Sequence, residues 1–314
     1  MNDRVEQIKD IFSTNFKKGK LISVADEYLE RESNICPCCK HNTIENRITG
    51  TIQQYPVVSW LECKNCKVWY ASRMPKQFLL KDAYLLGQQQ QPVDESFNNY
   101  KRLANHILSV TNFESLAFGD EFSNILDFGC GNGELLLAIK NVLNTKKYVY
   151  SGIDIIVDEY QFKDDIHFFN AVDKIDKQNQ LVIASAVLEH IPLFNETLKR
   201  LYDKTASGGL IYIRTPWHAP FKKIIKNLDL GFPGHLFDLS QDFWENIWSK
   251  IGCNIEIIHS APSVNQTEYK YQLVRTFLAD ALKFPAYLHN KFRKYGNTIW
   301  WKYVGGWEIV VRKK

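Results

Sequence analysis

The sequence predicts an α/β fold in which a doubly wound parallel sheet follows a small cysteine-rich module. From residue 123 onward, short apolar runs alternate with runs of helical period, as in βαβ units. Upstream of that point, five of the seven cysteines fall between residues 36 and 66. We therefore divide the chain into 1–75 (an N-terminal helix and the cysteine module), 76–120 (a helical connector) and 121–314 (the α/β domain with a C-terminal extension).

The composition is that of a globular protein, and it argues against several classes of protein. Of 314 residues, 45% are hydrophobic and 24% are charged, and the net charge is +4. That charge is too small to indicate a nucleic-acid partner. No apolar run approaches the roughly 20 residues of a membrane span, and the N-terminal "MNDRVEQIKDIF" lacks the apolar core of a signal peptide. We expect a cytoplasmic protein.

The first predicted element is a short amphipathic helix over residues 3–17. Its apolar residues recur at helical spacing: Val5, Ile8, Ile11, Phe12 and Phe16. Residues 34–70 are β-rich and contain the clustered cysteines. Residues 76–118 have helical patterns, which the polar stretch "LLGQQQQPVDES" interrupts. This connector leads into the α/β domain.

Two C-x-x-C pairs in the cysteine module have the spacing of a metal site. The first pair is Cys36 and Cys39, and the second, after 23 intervening residues, is Cys63 and Cys66. Each pair lets two thiolates bind one ion from one tight turn, and four thiolates close a tetrahedral Zn²⁺ site. Because such a site has no open position, we expect it to be structural. The alternative is a set of free thiols, and Cys38 could compete with Cys39.

The α/β domain is predicted from five apolar runs of strand length with helices at 133–144 and 194–206. The strands are "NILDFG", "YVYSGIDI", "IHFFNA", "QLVIASAV" and "GLIYIRTP". Beyond them, "SQDFWENIWSKIG" is a helix with Ser240 at its N-terminal cap and Gly252 at its stop. The last strands, "CNIEIIHS" and "GGWEIVVRKK", are predicted to be antiparallel.

The stretch "ILDFGCGNGELL", residues 125–136, joins a strand end, three glycines and a helix start. A dinucleotide fingerprint needs glycine where Glu134 stands, and a P-loop needs a Gly-Lys-Ser/Thr that the sequence lacks here. The Glu134 carboxylate would repel a pyrophosphate. With Asp127 it favours a ligand that carries positive charge, such as the sulfonium and ammonium groups of S-adenosylmethionine. Asp154, about twenty residues further on, can accept hydrogen bonds from both ribose hydroxyls.

Three motifs in this domain resemble those of class I S-adenosylmethionine-dependent methyltransferases. "ILDFGCGNGELL", "GIDI" and "LVIASAVLEHIP" are similar to the first, second and fourth motifs of that family, in the same order and spacing. The resemblance covers roughly residues 120–215. It implies a Rossmann-like sheet of seven strands with the cofactor over the strand ends. The alternative is a tight glycine turn in an α/β domain that binds no ligand.

The resemblance also implies roles for individual residues. Asp127, Gly129 and Gly131 would line the methionine portion of the cofactor. Asp154 would hold the ribose and Ile155 would pack on the adenine. The remaining candidates for cofactor binding are Cys130 in the turn, Ser185 at the end of the fourth predicted strand, and Asn170 or Asp173 near the adenine amino group.

The layout of the whole chain extends the resemblance to residues 35–260. A CPxC…CxxC module before the glycine turn, and "GHLFDLSQDFWENIWSKIGCNIEI" after the fifth predicted strand, are similar to a group of bacterial methyltransferases with an N-terminal zinc-binding segment. That group is common in sugar, surface-polysaccharide and natural-product pathways. The resemblance implies a small-molecule acceptor that could be sugar-linked.

Three histidines lie where the acceptor is expected, and we propose them as catalytic: His190, His235 and His218. Histidine titrates near neutral pH and can remove a proton from an acceptor hydroxyl. We expect Asp238 to orient His235. The alternative is a structural role, in which His190 caps or packs a helix. Glu189 is expected to be structural or to contact substrate.

Several chemistries are disfavoured by residues that are missing from these motifs. Methylation of a base amino group usually requires an Asn/Asp-Pro-Pro-aromatic turn after the fourth strand, where this chain has "ASAVLEH". Similar quinone-ring methyltransferases carry Glu-x-x-Glu-His, which can hold a divalent ion, but Ala186 replaces the first acid here. No cysteine follows the fourth or fifth strand to attack a pyrimidine.

Three functions remain open on the sequence. The first is methylation of a hydroxyl, or of a carbon beside a keto group, on a small molecule. The second is methylation of RNA, with Trp60, Trp69 and Tyr70 stacking on bases, although those aromatic residues could equally form the module's core. The third is a binding protein with a vestigial cofactor site.

A basic amphipathic stretch could contact anionic lipid or a lipid-linked glycan. In "FKKIIKNL", residues 221–228, three lysines alternate with apolar residues, and the C-terminal part adds further basic residues. These basic residues are Lys222, Lys223, Lys226, Arg293, Lys294, Arg312, Lys313 and Lys314. The alternative is an ordinary solvated helix face.

Overall fold

A computed structural model describes most of the chain. The described residues are 16–17, 20–21, 26–49, 58–76, 97–115, 123–145, 147–157, 160–225, 228, 230–263, 269–292 and 301–314. Most of the predicted N-terminal helix, the segment 77–96 with "LLGQQQQPVDES", and Arg293 and Lys294 lie outside these residues. The predicted helix does not reach Phe16–Lys17, which instead pair as a strand with Lys20–Leu21.

The described part of the chain contains six α-helices and fourteen strands. The helices are α1 (Phe97–Thr111), α2 (Glu134–Leu143), α3 (Phe194–Asp203), α4 (Ala219–Lys222), α5 (Gln241–Lys250) and α6 (Tyr269–Phe292). The first seven strands are β1 (Phe16–Lys17), β2 (Lys20–Leu21), β3 (Ile44–Thr49), β4 (Ser59–Cys63), β5 (Trp69–Ala71), β6 (Ser123–Phe128) and β7 (Tyr148–Ile153). The others are β8 (Tyr160–Lys163), β9 (Ile166–Phe169), β10 (Asn179–Ser185), β11 (Thr205–Trp217), β12 (Phe237–Asp238), β13 (Ile255–Pro262) and β14 (Gly305–Lys313).

The central sheet has the order β13-β14-β11-β10-β6-β7-β9-β8. The strands β9, β7, β6, β10 and β11 are parallel, whereas β14 runs antiparallel between β11 and β13. The two late antiparallel strands are therefore confirmed. The carboxyl ends of the five parallel strands meet at one edge, where ligands of open α/β sheets bind.

The sheet has eight strands rather than the seven that the family resemblance implies. The additional strand, β8, forms an antiparallel hairpin with β9 and is the outermost strand on that side of the sheet. The two residues between them, Asp164 and Asp165, have φ values of 53° and 61°. Left-handed conformations at both positions match the right-handed twist of a two-residue hairpin. The sequence signal was weak because Asp-Asp replaces the usual Asn-Gly or Asp-Gly.

Helices cover both faces of the sheet, as a doubly wound fold requires. Strand residues alternate between two cores, so that Ile125 packs with α1 and α2 whereas the next residue, Leu126, packs with α3 and α5. The predicted cap of α5 is confirmed, since Ser240 Oγ accepts a hydrogen bond of 3.1 Å from the backbone N–H of Phe243. The helix ends before Gly252, which has a φ of 74°.

The cysteine module shares its sheet and its core with the α/β domain. The order of its sheet is β12-β5-β4-β3, and β12 comes from the loop that follows α4. Phe237 pairs with Tyr70 and Asp238 with Trp69. Module residues such as Leu61 belong to the same buried cluster as α3 and α5. The module is thus tied to the loop that carries His235, one of the three predicted acceptor-side histidines.

The helix α6 exposes much of its apolar surface. It is 24 residues long, and large apolar side chains along it are half or more exposed, including Leu273, Val274, Phe277 and Phe292. Within the described ranges, no helix combines the length and the hydropathy that a membrane crossing would require.

Candidate active site

The glycine turn between β6 and α2 is built from residues in left-handed conformations. Gly129, Gly131 and Gly133 have φ values of 77°, 54° and 85°. A Cβ on Gly129 would lie 2.4 Å from Cγ2 of Val187, and one on Gly133 would lie 2.7 Å from the Phe168 ring. At Gly131 a Cβ would meet no described atom within 4 Å. The turn is therefore packed at its two ends and leaves space at its centre.

The carboxylate of Asp154 fastens the end of β7 to this turn. Its Oδ2 accepts a hydrogen bond of 2.8 Å from the backbone N–H of Gly131, and its Oδ1 accepts one of 3.2 Å from that of Ile156. Each carboxylate oxygen can accept a second bond. Asp154 is half-buried beside Ile155, whose side chain is 43% exposed. A polar acceptor and an exposed apolar surface thus stand side by side at the edge of the sheet.

Three acidic residues surround the turn. Asp127 is buried at the end of β6. The pKa of its carboxyl is raised well above the usual range, first by burial and then by the charges of Asp154 and Glu134. Both effects penalise the anionic form, and a cation beside Asp127 would offset them. The electrostatics of the turn therefore favour a positively charged ligand.

The other predicted cofactor-site residues lie around the same edge. Cys130 is buried, and its Sγ packs so closely on β7 that a Cβ on Gly152 would lie 2.6 Å from it. Asn170 is half-buried directly after β9, and Ser185 is half-buried at the end of β10. Asp173 is exposed, and its Oδ2 accepts a hydrogen bond of 3.2 Å from Arg200.

Two further residues at this edge, Tyr100 and Arg214, were missed from the sequence. Tyr100 on α1 is half-buried, and its pKa is raised first by burial and then by the charges of Glu134 and Asp127. Arg214 in β11 donates from Nε to Ser185 Oγ at 3.0 Å. Sequence motifs did not mark either residue, because α1 precedes the glycine turn and Arg214 interrupts an otherwise apolar strand.

A pocket of about 210 Å³ opens beyond the glycine turn, at the ends of β10 and β11. Its ionisable lining residues are Glu189, Arg214 and His235. It lies next to the turn, because its lining residue Ala186 precedes Val187, which packs on Gly129. The other lining residues are Thr215, Pro216, Ser263, Gly305 and Gly306. Such a pocket can place an acceptor beside a ligand held at the turn.

The structure brings His190 and His235 together. Their ring centroids lie 4.9 Å apart, and His190 Nδ1 lies 2.7 Å from the carbonyl oxygen of Gly234. A carbonyl only accepts, so Nδ1 carries a proton and donates it in this contact. The side chain of Glu189 is buried beside them, and burial raises its pKa although the charge of His190 opposes this.

The structure places the Asp238 carboxylate at the backbone of His218 and not beside the His235 ring, where the sequence predicts it. Its carboxylate accepts from the backbone N–H groups of His218 at 2.6 Å and of Ala219 at 3.1 Å. It therefore holds the start of α4, because the first N–H groups of a helix have no partner within the helix. Burial raises the pKa of Asp238 to about 7, against the lowering effect of these two bonds. The pKa of His218 is lowered by burial and by the charge of Lys283.

The four cysteines of the two C-x-x-C pairs converge on one point. Their Sγ atoms all lie within 4.8 Å of one another, and the Cys36–Cys66 and Cys39–Cys63 pairs are each 3.5 Å apart. No disulfide joins any of the seven cysteines. The fifth clustered cysteine, Cys38, is buried but is not one of the four. This donor set fits one tetrahedral ion bound by four thiolates.

The two cysteine turns have the same backbone geometry. In the first turn, the backbone N–H of Lys40 donates to the carbonyl of Cys36 at 2.9 Å. In the second, the backbone N–H of Lys67 donates to the carbonyl of Cys63 at 2.9 Å. Both lysines follow the second cysteine of their pair and have φ values of 61° and 62°. Each turn thus presents its two thiolates in the same way.

The glycine turn lies within a segment that matches a known protein family. A protein-family model described as a methyltransferase domain matches residues 96–257, just over half of the chain. The chain belongs to this methyltransferase family. A comparison of the methyltransferase with curated proteins found no match.

The solved structures to which the chain is similar include other methyltransferases. The plantazolicin methyltransferase BamL, in complex with a triazolic desmethylPZN analog and SAH, is 10% identical, with 70% of this chain and 86% of that chain covered and a TM-score of 0.43. Coclaurine N-methyltransferase, bound to N-methylheliamine and SAH, is 11% identical, with 66% and 70% covered and a TM-score of 0.40. A cyclopropane-fatty-acyl-phospholipid synthase-like protein from Lactobacillus casei ATCC 334 is 12% identical, with 70% and 94% covered and a TM-score of 0.42.

The aromatic residues of the methyltransferase's cysteine module form its core. Trp60, Trp69 and Tyr70 are only 3%, 4% and 2% exposed. The hydroxyl of Tyr70 also donates a hydrogen bond of 3.0 Å to the carbonyl of Asn34. These rings have no open face on which a base could stack.

In the basic stretch 221–228, some of the described side chains are exposed to solvent and one of the lysines is buried. Lys222 is buried, and its Nζ donates to the carbonyl of Leu228 at 2.8 Å. Lys223, Ile224 and Ile225 are exposed. Lys226 lies outside the described residues.

Proposed function

We propose that this methyltransferase takes its methyl group from S-adenosylmethionine. The observation that supports the proposal is the glycine turn, which has open space at Gly131 and three acidic residues around it. Asp127, Gly129 and Gly131 would hold the charged methionine portion, with Cys130 packed below. When bound, the cofactor supplies an electrophilic methyl group on a sulfonium.

Asp154 would accept hydrogen bonds from the ribose hydroxyls, and Ile155 would cover the adenine. Asn170 fits the adenine amino group better than Asp173, because Asp173 is exposed and bonded to Arg200. Ser185 and Arg214 would form the boundary between cofactor and acceptor, since they are hydrogen-bonded at the ends of β10 and β11.

The acceptor that we propose is a small polar molecule, a sugar or a related metabolite of surface-polysaccharide or natural-product biosynthesis. The pocket of about 210 Å³ is smaller than the roughly 300–1,000 Å³ of drug-sized sites and has acidic, basic and imidazole groups in its lining. The methylated atom would be a hydroxyl oxygen or a carbon beside a keto group. Either needs to lose a proton, and His235, His190 or His218 would accept it.

We propose that Zn²⁺ in the four-cysteine site supports the acceptor loop. The link is the backbone of Leu236, whose carbonyl accepts from Ala71 of the module at 3.0 Å while its N–H donates to the carbonyl of Glu189 at 2.8 Å. A thiolate site of four ligands has no position for substrate. The zinc would hold the module against the site and take no part in chemistry.

The competing proposal, methylation of RNA, lacks a stacking surface on the described part of the module, because its aromatic residues are buried. Two measurements separate the two functions. Incubation with labelled S-adenosylmethionine and fractionated extract should label a small molecule. A binding isotherm with RNA across salt should show weak binding, whereas a steep salt slope would support RNA.

A further inference from the structure

Beside the glycine turn, three potential metal ligands meet at the acceptor pocket. They are Glu189, His190 and His235, and one ligand atom from each lies within 4.8 Å of the others. Glu189 and His190 come from the short helical turn after β10, whereas His235 comes from the loop before β12. The sequence disfavoured a metal here because Ala186 replaces an acid. The structure supplies an imidazole from a distant loop instead.

The carboxylate of Glu189 provides a second and independent observation. The residue is 1% exposed, and its Oε2 has no hydrogen-bond partner in the described part of the chain. A buried carboxylate oxygen that lacks a partner is costly, and native structures usually supply a partner, a water or an ion. Its other oxygen, Oε1, lies 3.9 Å from His190 Nε2. Glu189 is also one of the residues that line the pocket.

The surrounding backbone positions both imidazoles. His190 Nδ1 donates to the carbonyl oxygen of Gly234, and the other ring nitrogen, Nε2, lies 3.9 Å from Glu189 Oε1. This is the arrangement in which a carbonyl orients a metal-binding histidine. Gly231 has a φ of 88°, and a Cβ there would lie 2.6 Å from His235 Nδ1. The loop therefore needs glycine to make room for the His235 ring.

We propose that Glu189, His190 and His235 bind a divalent transition-metal ion at the acceptor pocket. Two imidazoles and one carboxylate are ligands that such ions accept, and three protein ligands leave coordination positions open. An acceptor hydroxyl in the pocket could occupy one of them. The ion would then lower the hydroxyl's pKa so that its proton could pass to solvent water, and His190 and His235 would act as ligands instead of as bases.

The proposed role in catalysis rests on the proposed function, but metal binding itself can be tested without the cofactor. The probe is Co²⁺, added to protein that elemental analysis shows to hold one Zn²⁺ per chain. We expect one further Co²⁺ per chain, with the visible absorption of a nitrogen and oxygen site. A thiolate-to-cobalt charge-transfer band would instead show binding at the cysteines.

The Glu189→Gln and His235→Asn variants should each weaken Co²⁺ binding by about tenfold or more, while the zinc content stays at one. His218→Asn is the matched control and should bind Co²⁺ like the parent. Melting temperatures of the zinc-loaded variants check that they fold. The proposal is overturned if the parent binds no additional Co²⁺, or if both variants bind it with unchanged affinity. Failure of S-adenosylmethionine binding by calorimetry would contradict the proposed function alone.

Discussion

The backbone N–H of Gly131 donates a hydrogen bond of 2.8 Å to Oδ2 of Asp154. This bond crosses from the glycine turn after β6 to the end of β7. It places a carboxylate with spare acceptor capacity next to the open centre of the turn. The same side chain can therefore shape the turn and bind a ribose.

We expect Asp154→Ala to weaken S-adenosylmethionine binding strongly. The variant loses a charged acceptor, and hydrogen bonds to charged groups are worth roughly 1.5–3 kcal/mol each. Calorimetry measures the affinity. Asp203→Ala is the control. Asp203 is exposed at the end of α3, which leads into the start of β11, at the edge of the sheet opposite to the glycine turn. Equal affinity of parent and Asp154→Ala would contradict the cofactor assignment.

Alanine at two glycines of the turn should have different effects. Gly131→Ala places a Cβ in open space, so its stability cost is the left-handed backbone alone, about 1–2 kcal/mol, while the methyl obstructs the cofactor. Gly129→Ala adds a clash at 2.4 Å with Val187 and should be much less stable. Gly208→Ala is the matched control: it has a φ of 76°, open space around it and a position near the start of β11.

Urea unfolding and calorimetry test these three glycine variants. We expect Gly131→Ala and Gly208→Ala to have similar free energies of unfolding, with cofactor affinity lost only in Gly131→Ala. Normal cofactor binding by Gly131→Ala would show that the cofactor does not occupy the turn.

We predict one zinc per chain, which Cys63→Ser should remove. Because structural zinc binding is coupled to folding, the variant should have a lower melting temperature. Turnover should fall with it, since the module supports the acceptor loop, while cofactor affinity changes little. Elemental analysis and thermal unfolding measure these effects. Cys38→Ser is the control and should keep its zinc, and a parent purified without chelator that holds no metal would refute the site.

The stability of the protein should depend on pH through Glu308. This buried residue accepts hydrogen bonds from His106 at 2.7 Å, His259 at 3.0 Å and Tyr212 at 3.1 Å. Burial raises its pKa, but the histidine bonds and charges outweigh burial and lower the pKa to about 2. A carboxyl with a depressed folded pKa stabilises the protein above its unfolded pKa of about 4.3, and this stabilisation is lost as pH falls towards 2.

We therefore expect Glu308→Gln to be less stable than the parent near pH 6 and to lose this disadvantage between pH 5 and 2. At about 1.4 kcal/mol per pKa unit, the carboxylate contributes on the order of 3 kcal/mol. Urea unfolding at several pH values measures the difference. Glu256→Gln is the control, because Glu256 forms only a surface ion pair with Arg312 at 3.7 Å. A parent-to-variant difference that stays constant with pH would exclude this role for Glu308.

Loss of a catalytic histidine should slow turnover by about 10²–10⁴-fold and leave cofactor affinity nearly intact. We expect His235→Ala and His190→Ala to have this effect more strongly than His218→Ala, because only the first two lie together. Turnover and calorimetry check it once the acceptor is known. If all three variants turn over like the parent, the enzyme relies on positioning alone.

The sequence by itself determined the features that depend on neighbours along the chain. The three glycines predicted the turn, the two C-x-x-C pairs predicted the convergence of four thiolates, and Ser240 predicted the cap of α5. In each case a few consecutive residues fix the backbone, because a left-handed turn, a cysteine turn or a helix cap is a local structure. The alternation of apolar runs likewise predicted the parallel core of the sheet.

Only the tertiary structure decided which distant residues meet. It paired His190 with His235 and placed Asp238 on His218. It brought His106 to Glu308 across 202 positions, and it added β12 to the sheet of the cysteine module. Hydrophobic periodicity shows which face of an element is buried, but not which loop lies opposite it. Those contacts are set by how the helices and strands pack in three dimensions, and the acceptor pocket is made of them.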